Sequence, residues 1–197
     1  MNVLFVLYGD LASNSAVPLG LYSRELAAAG HACAVALAQR GEQPEAAAFH
    51  GRVASHEEAL DRPQDLFPDG RPADVVHAWT PRENVRRFVT AWLARYPAPL
   101  VVYLEDNESW IALQVLGVAS ADALLSQHDE EIAARLPDGL SHPFRFDSFI
   151  GLADAAVVLQ DKLAADVPPW VPCHTVLPGV DLDLVAPRAP QAAWRAQ

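Results

Sequence analysis

The run Val3-Leu4-Phe5-Val6-Leu7-Tyr8 has no fully polar position, and a strand of that composition has to be buried on both faces. Such a strand belongs inside a parallel sheet, whose neighbouring strands are joined by crossovers that are usually helical. The rest of the chain supplies both parts. Short apolar runs recur at Ala32 to Ala38, Asp74 to Trp79, Leu100 to Leu104, Asp154 to Leu159 and Cys173 to Leu177, with segments of helical period between them. The expected fold is α/β, a doubly wound, mainly parallel sheet of about six or seven strands with helices on both faces.

The local signals agree with that order. Pro18, the apolar spacing of Leu19, Tyr22, Leu26 and Ala29, and Gly30 as a stop predict a helix over 16–29. Gly41 to Pro72 is less regular, with a short strand near His50 to Ala54 and a helix opened by the capping box Ser55-His56-Glu57-Glu58. Thr80-Pro81-Arg82-Glu83 reads as N-cap, first-turn proline and N3 glutamate. Val85, Phe88, Val89, Trp92 and Leu93 then form the buried stripe of the helix that follows. Ser120 to Ile150 reads as helical, and no internal repeat is present.

Composition narrows the functional classes. The 197 residues carry 14 basic and 25 acidic side chains, a formal charge of -11, and Lys162 is the sole lysine, so nucleic acid is not an expected partner. Cys33 and Cys173 form no paired motif, and each sits beside an apolar run, as buried reduced thiols do. The opening apolar run is too short to be a signal core or a membrane span, and no stable membrane anchor is expected. The expected location is the cytoplasm, with peripheral contact at the inner face of the membrane left open. A dinucleotide fingerprint is missing: the first turn has Gly9 and Gly20, and the second strand runs into Gln39-Arg40. There is no P-loop, no nucleophile elbow and no zinc-protease helix. His128-Asp129-Glu130-Glu131 reads as a solvated helical face, and no metal is assigned.

In a doubly wound sheet, ligands bind at the carboxyl ends of the strands, which directs attention to the polar segments there. Ser13, Asn14 and Ser15 follow the first strand, where hydroxyl, amide and helix amino-terminal groups suit a phosphate or a sugar, or simply cap the helix. Glu105 and Asp106, with Glu108, crowd like charges after Leu104. Partial burial there would raise at least one pKa, as suits a base or a hydroxyl-binding carboxylate, with Asp106 the foremost residue. The alternative is a solvated loop in which Asp106 or Asn107 caps a helix. His77 is a candidate binding residue, although a histidine inside an apolar strand is more often a core residue with its nitrogens satisfied. Trp79 and Thr80 end the same strand, and the indole either stacks on a sugar or packs inside.

Four segments, in this order, resemble the amino-terminal domain of family-4 glycosyltransferases of the GT-B fold. They are the opening strand with its helix ending Ala29-Gly30-His31, then Asp74-Val75-Val76-His77-Ala78-Trp79-Thr80-Pro81-Arg82-Glu83, then Ala153-Asp154-Ala155-Ala156-Val157-Val158, and last Leu177-Pro178-Gly179-Val180-Asp181. The resemblance implies a Rossmann-like, acceptor-side domain over 1–187. It also implies that 188–197 begin a linker to a donor-binding domain. A nucleotide sugar is then the co-substrate, held with that second domain, and a sugar-containing or lipid-linked molecule is the acceptor, with no further cofactor. The chemistry implied is retaining hexosyl transfer, in which the leaving phosphate helps deprotonate the acceptor, and this half is inactive alone. The sequence departs from the family at two points: Ser13-Asn14-Ser15 stand where glycines usually approach the diphosphate, and Glu105-Asp106 stand where a histidine often meets the transferred sugar. Other readings are a stand-alone binding module for a small polar ligand and half of a nucleotide-sugar epimerase.

Overall fold

The computed structural model describes residues 1–39, 41, 49–177 and 179. Its sheet has seven strands, β1 (Asn2–Leu7), β2 (Ala32–Leu37), β3 (Arg52–Ser55), β4 (Val75–Trp79), β5 (Leu100–Leu104), β6 (Ala155–Val158) and β7 (Cys173–Thr175). All six pairings are parallel, in the order β3-β2-β1-β4-β5-β6-β7. The chain therefore winds outward from β1 to β3 and then resumes on the other side of β1 at β4. The boundary between β1 and β4 is the switch point at which such sheets open a crevice.

Every residue of β1 is buried, as its unbroken apolar run requires. Alternate side chains feed two cores. Phe5, Leu7, Val35, Trp79 and Tyr103 pack against α1 (Ala16–Ala28) through Ala16 and Leu19. Leu4, Val6, Val76, Val102 and Ala156 face α2 (His56–Asp61), α3 (Glu83–Leu93) and α6 (Phe146–Ile150) on the opposite side. Helices α4 (Glu108–Leu116) and α5 (Asp129–Arg135) occupy the long β5–β6 crossover with a short 3-10 turn, Ala121–Leu124.

The capping box at Ser55 forms as expected: Ser55 Oγ accepts from the Glu58 amide at 3.1 Å and the Glu58 carboxylate accepts from Ser55 N at 2.8 Å. The amino edge is fastened twice by one device. Asp74 accepts from Asn2 N at 2.7 Å while donating its own amide to Asn2 O, and Asp154 does the same with Leu100. Each aspartate sits one residue before its strand and so fixes the register of the adjacent one.

Two expectations need correction. Cys33 is buried, but Cys173 is exposed, because β7 is an edge strand whose three residues all face solvent. Helix α3 starts at Glu83 with Arg82 as its N-cap, two residues later than the Thr80 cap implied. Thr80 instead takes a left-handed backbone (φ 61°), a conformation costly for a β-branched residue, and its side chain caps nothing. The first α3 amides are satisfied by distant carbonyls, Glu83 N to Leu140 O and Asn84 N to Asp138 O, both at 3.0 Å. The Pro178 to Asp181 segment, apart from Gly179, the domain end at 187 and the linker over 188–197 lie outside the described residues.

Candidate functional site

Three strand ends meet at the carboxyl edge beside the switch point. Tyr8 follows β1, and its carbonyl accepts from Asn84 Nδ2 at 2.8 Å, which ties the β1 end to the first turn of α3. The left-handed turn at Thr80 carries the chain over that edge, so Arg82 lies across it, its guanidinium carbon 3.7 Å from the centre of the Tyr8 ring. Arg82 Nε is 3.2 Å from Glu108 Oε1 and Nη2 is 3.7 Å from Asp106. Ser141 Oγ donates to the other Glu108 oxygen at 2.8 Å. The Ser15 hydroxyl donates to the Glu105 carboxylate and lies 3.5 Å from the Tyr8 hydroxyl.

The structure thus gathers Ser15, Glu105, Asp106 and the buried Glu108 of the acidic cluster with two groups that the sequence reading did not single out, Tyr8 and Arg82. One carboxyl of the acidic cluster is perturbed as expected, that of Glu108. Burial raises its pKa, against the pull of Arg82 and Ser141, with Asp106 adding to the rise. Asp106 is 55% exposed at the side chain and open to a ligand, whereas Glu108 is 1% exposed and serves to hold Arg82 in place. Asn107, not Asp106, caps α4, accepting from Trp110 N at 2.8 Å.

The remaining candidates lie elsewhere. Ser13 bonds back to the Asp10 carbonyl at 2.9 Å and Asn14 is exposed on the loop. The amides that open α1 are taken by local carbonyls, Ala16 N by Ser13 O at 3.0 Å and Val17 N by Asn14 O at 3.4 Å, and Pro18 has none. Trp79 is fully buried and stacks on Tyr103 at 4.2 Å, so its ring is core and not a platform for sugar in this conformation. Thr80 is likewise fully buried, its hydroxyl without a partner among the described residues. His77 packs among Phe5, Tyr22, Trp79 and Tyr103 on the α1 side of the sheet. The expectation that its nitrogens are satisfied fails for Nδ1, which is buried with no partner, because the ring's neighbours are aromatic. Among the described residues, no group of three or more His, Cys, Asp or Glu comes together as a metal site.

His77 makes a testable contribution to stability. Burial lowers its pKa to about 4 from 6.5, and burial does the same to His56, which stacks on Phe88. The folded chain therefore refuses protons that the unfolded chain accepts. This stability is present above the unfolded value and is lost as pH falls toward the folded one. Urea unfolding is expected to show a loss of up to about 3 kcal/mol per imidazole between pH 7 and pH 4. His77→Phe, which keeps the aromatic packing, should remove about 2 kcal/mol of that loss. An unchanged pH slope would contradict this account.

No protein-family model matches the sequence, and no curated protein does. Solved structures share its fold. Os79 from O. sativa, in complex with UDP, superposes with a TM-score of 0.54 at 15% identity over 98% of this chain and 56% of its own. LpCGTa, in complex with UDP, gives 0.51 at 12% identity over 93% and 55%. A UDP-glucosyltransferase from Polygonum tinctorium capable of glucosylating indoxyl gives 0.50 at 11% identity over 91% and 52%. The chain spans about half the length of these structures. Its seven-stranded parallel sheet has the Rossmann-like fold of the part of these GT-B structures that it covers. Within the described residues no helix is long and apolar enough to cross a membrane.

Proposed function

We propose that this chain is the acceptor-side half of a nucleotide-sugar-dependent glycosyltransferase, cytoplasmic and inactive without a donor-binding half. The observation that carries the proposal is the placement of Arg82 and the exposed Asp106 at the carboxyl edge, where β1, β4 and β5 end together. This is the edge at which a doubly wound sheet takes its ligand. Asp106 accepts from an acceptor hydroxyl and orients it, Arg82 fixes Asp106, and Glu108 with Tyr8 fixes Arg82. The reaction is hexosyl transfer with retention. The bond from anomeric carbon to phosphate oxygen breaks, the acceptor oxygen bonds to that carbon, and the hydroxyl proton leaves with the released diphosphate. The acceptor is a sugar-containing or lipid-linked molecule, and no metal cofactor is part of the proposal.

The test is an assay of sugar transfer with UDP-glucose and other nucleotide sugars, on this chain and on the natural gene product read past Gln197. Transfer by the longer product and none by this chain is the expected result. Transfer by this chain unaided would overturn the half-enzyme assignment. A natural product of 21.3 kDa that binds a small polar ligand without turnover would replace it with a binding module.

A further inference from the structure

Behind the carboxyl edge, between α3 and the segment that carries α5 and α6, lies a cavity of about 200 Å³. Arg86, Arg87 and Arg145 stand in its wall, and Leu136, Pro137 and Leu140 supply an apolar surface. In a chain of net charge -11, this cavity sets three guanidinium groups against the carboxylates of Glu83 and Asp138, with Asp129 reaching Arg145 from beside it.

Two of the guanidinium groups are held by one carboxylate. Glu83 accepts from Arg86 Nε at 2.8 Å and Nη2 at 2.6 Å, and from Arg145 Nη1 at 3.1 Å. Burial works to raise the Glu83 pKa, but the two arginines bring it below the usual carboxylate range, so the clamp keeps its charge near neutral pH. Asp129 takes Arg145 Nε at 3.1 Å, and Asp138 takes Arg87 Nη2. This leaves Arg86 Nη1 and Arg145 Nη2 with no partner among the described residues. Planar forks fixed on one side by a carboxylate and open on the other are preorganised to bind an oxyanion. The α3 amides make no such offer, being closed by the carbonyls of Asp138 and Leu140.

We propose that this cavity binds an organic phosphate or carboxylate anion, its charge on the Arg86 and Arg145 forks and its carbon skeleton on Leu136, Pro137 and Leu140. The cavity and the candidate site share a wall. Glu83 and His142 line the cavity, while their neighbours Arg82 and Ser141 hold Glu108. The anion site is independent of whether the chain takes part in glycosyl transfer.

Calorimetric titration of this chain with octyl phosphate, phenyl phosphate and the neutral octyl glucoside tests the proposal. Both phosphates should bind saturably and octyl glucoside should not. Tighter binding of octyl phosphate would point to a lipid phosphate, and tighter binding of phenyl phosphate to a soluble one. Arg145→Gln and Arg86→Gln should each weaken phosphate binding about tenfold, while Arg95→Gln, in the turn that follows α3, leaves it unchanged. If either variant fails to fold, the corresponding lysine variant, Arg86→Lys or Arg145→Lys, which keeps the charge and removes the planar fork, serves in its place. No phosphate binding up to about 10 mM, equal binding of the neutral glucoside, or undiminished binding in a folded variant overturns the assignment.

Discussion

Arg82→Ala is expected to lower the free energy of unfolding by about 4 kcal/mol at pH 8, read by urea denaturation, because it strands a buried carboxylate. Glu108 is 1% exposed and has Arg82 as its ion-pair partner, with the Ser141 hydroxyl as its other contact. Burial already sets the folded pKa of Glu108 above the ordinary carboxylate value. A carboxyl of that kind favours the folded state below its unfolded pKa and loses that advantage as pH rises through the folded one. Removing Arg82 takes away an influence that opposes the rise, so the variant loses more than the parent as Glu108 ionises. Its deficit should therefore shrink when pH is lowered and the carboxyl is neutral. Glu108→Gln in the same background should recover part of the stability at pH 8. A deficit that is equal at acid and alkaline pH, or below about 1 kcal/mol, would show that Arg82 sits in the structure as an ordinary surface cation.

Asp106→Ala should leave the fold intact and remove most activity, the reverse of the Arg82 change. The side chain is 55% exposed and, among the described residues, pairs with Arg82 at a long 3.7 Å, so little stability depends on it. Under the proposed function, losing the carboxylate assigned to orient the acceptor hydroxyl should cut kcat/KM for sugar transfer about 1,000-fold, equivalent to about 4 kcal/mol. Asp106→Asn, which still accepts a hydrogen bond, should recover about tenfold of that loss. A kcat/KM within a few-fold of the parent would remove Asp106 from the acceptor site.

Local patterns in the chain specified most of the scaffold. The unbroken apolar run of β1 demanded burial on both faces, Ser55 and Glu58 wrote the start of α2, and Pro18 marked the first turn of α1. Each depends on residues a few positions apart, and short-range sterics and hydrogen bonding act at that range. The acidic cluster after β5 was legible as a place where a carboxyl would be perturbed, and Ser15, Glu105 and Asp106 as groups at the ligand edge. For Trp79 and His77 the sequence left binding and core packing both open, because alternation in a strand tells which side chains share a face, not what covers that face, and the structure places them among aromatic rings.

Tertiary structure decided which polar groups meet. Glu108 is 26 residues from Arg82 and 33 from Ser141, and Ser15 is 90 from Glu105. Nothing in the local spacing links them. The α3 start moved for the same reason: carbonyls at Asp138 and Leu140 satisfied its amides and left Thr80 to make the left-handed turn that aims Arg82. Sequence alone determined a parallel α/β sheet and the edge on which to look. Long-range packing determined that Glu108 would be buried under Arg82 while Asp106 stayed open, because the cost of burying charge depends on partners that only the folded chain brings near.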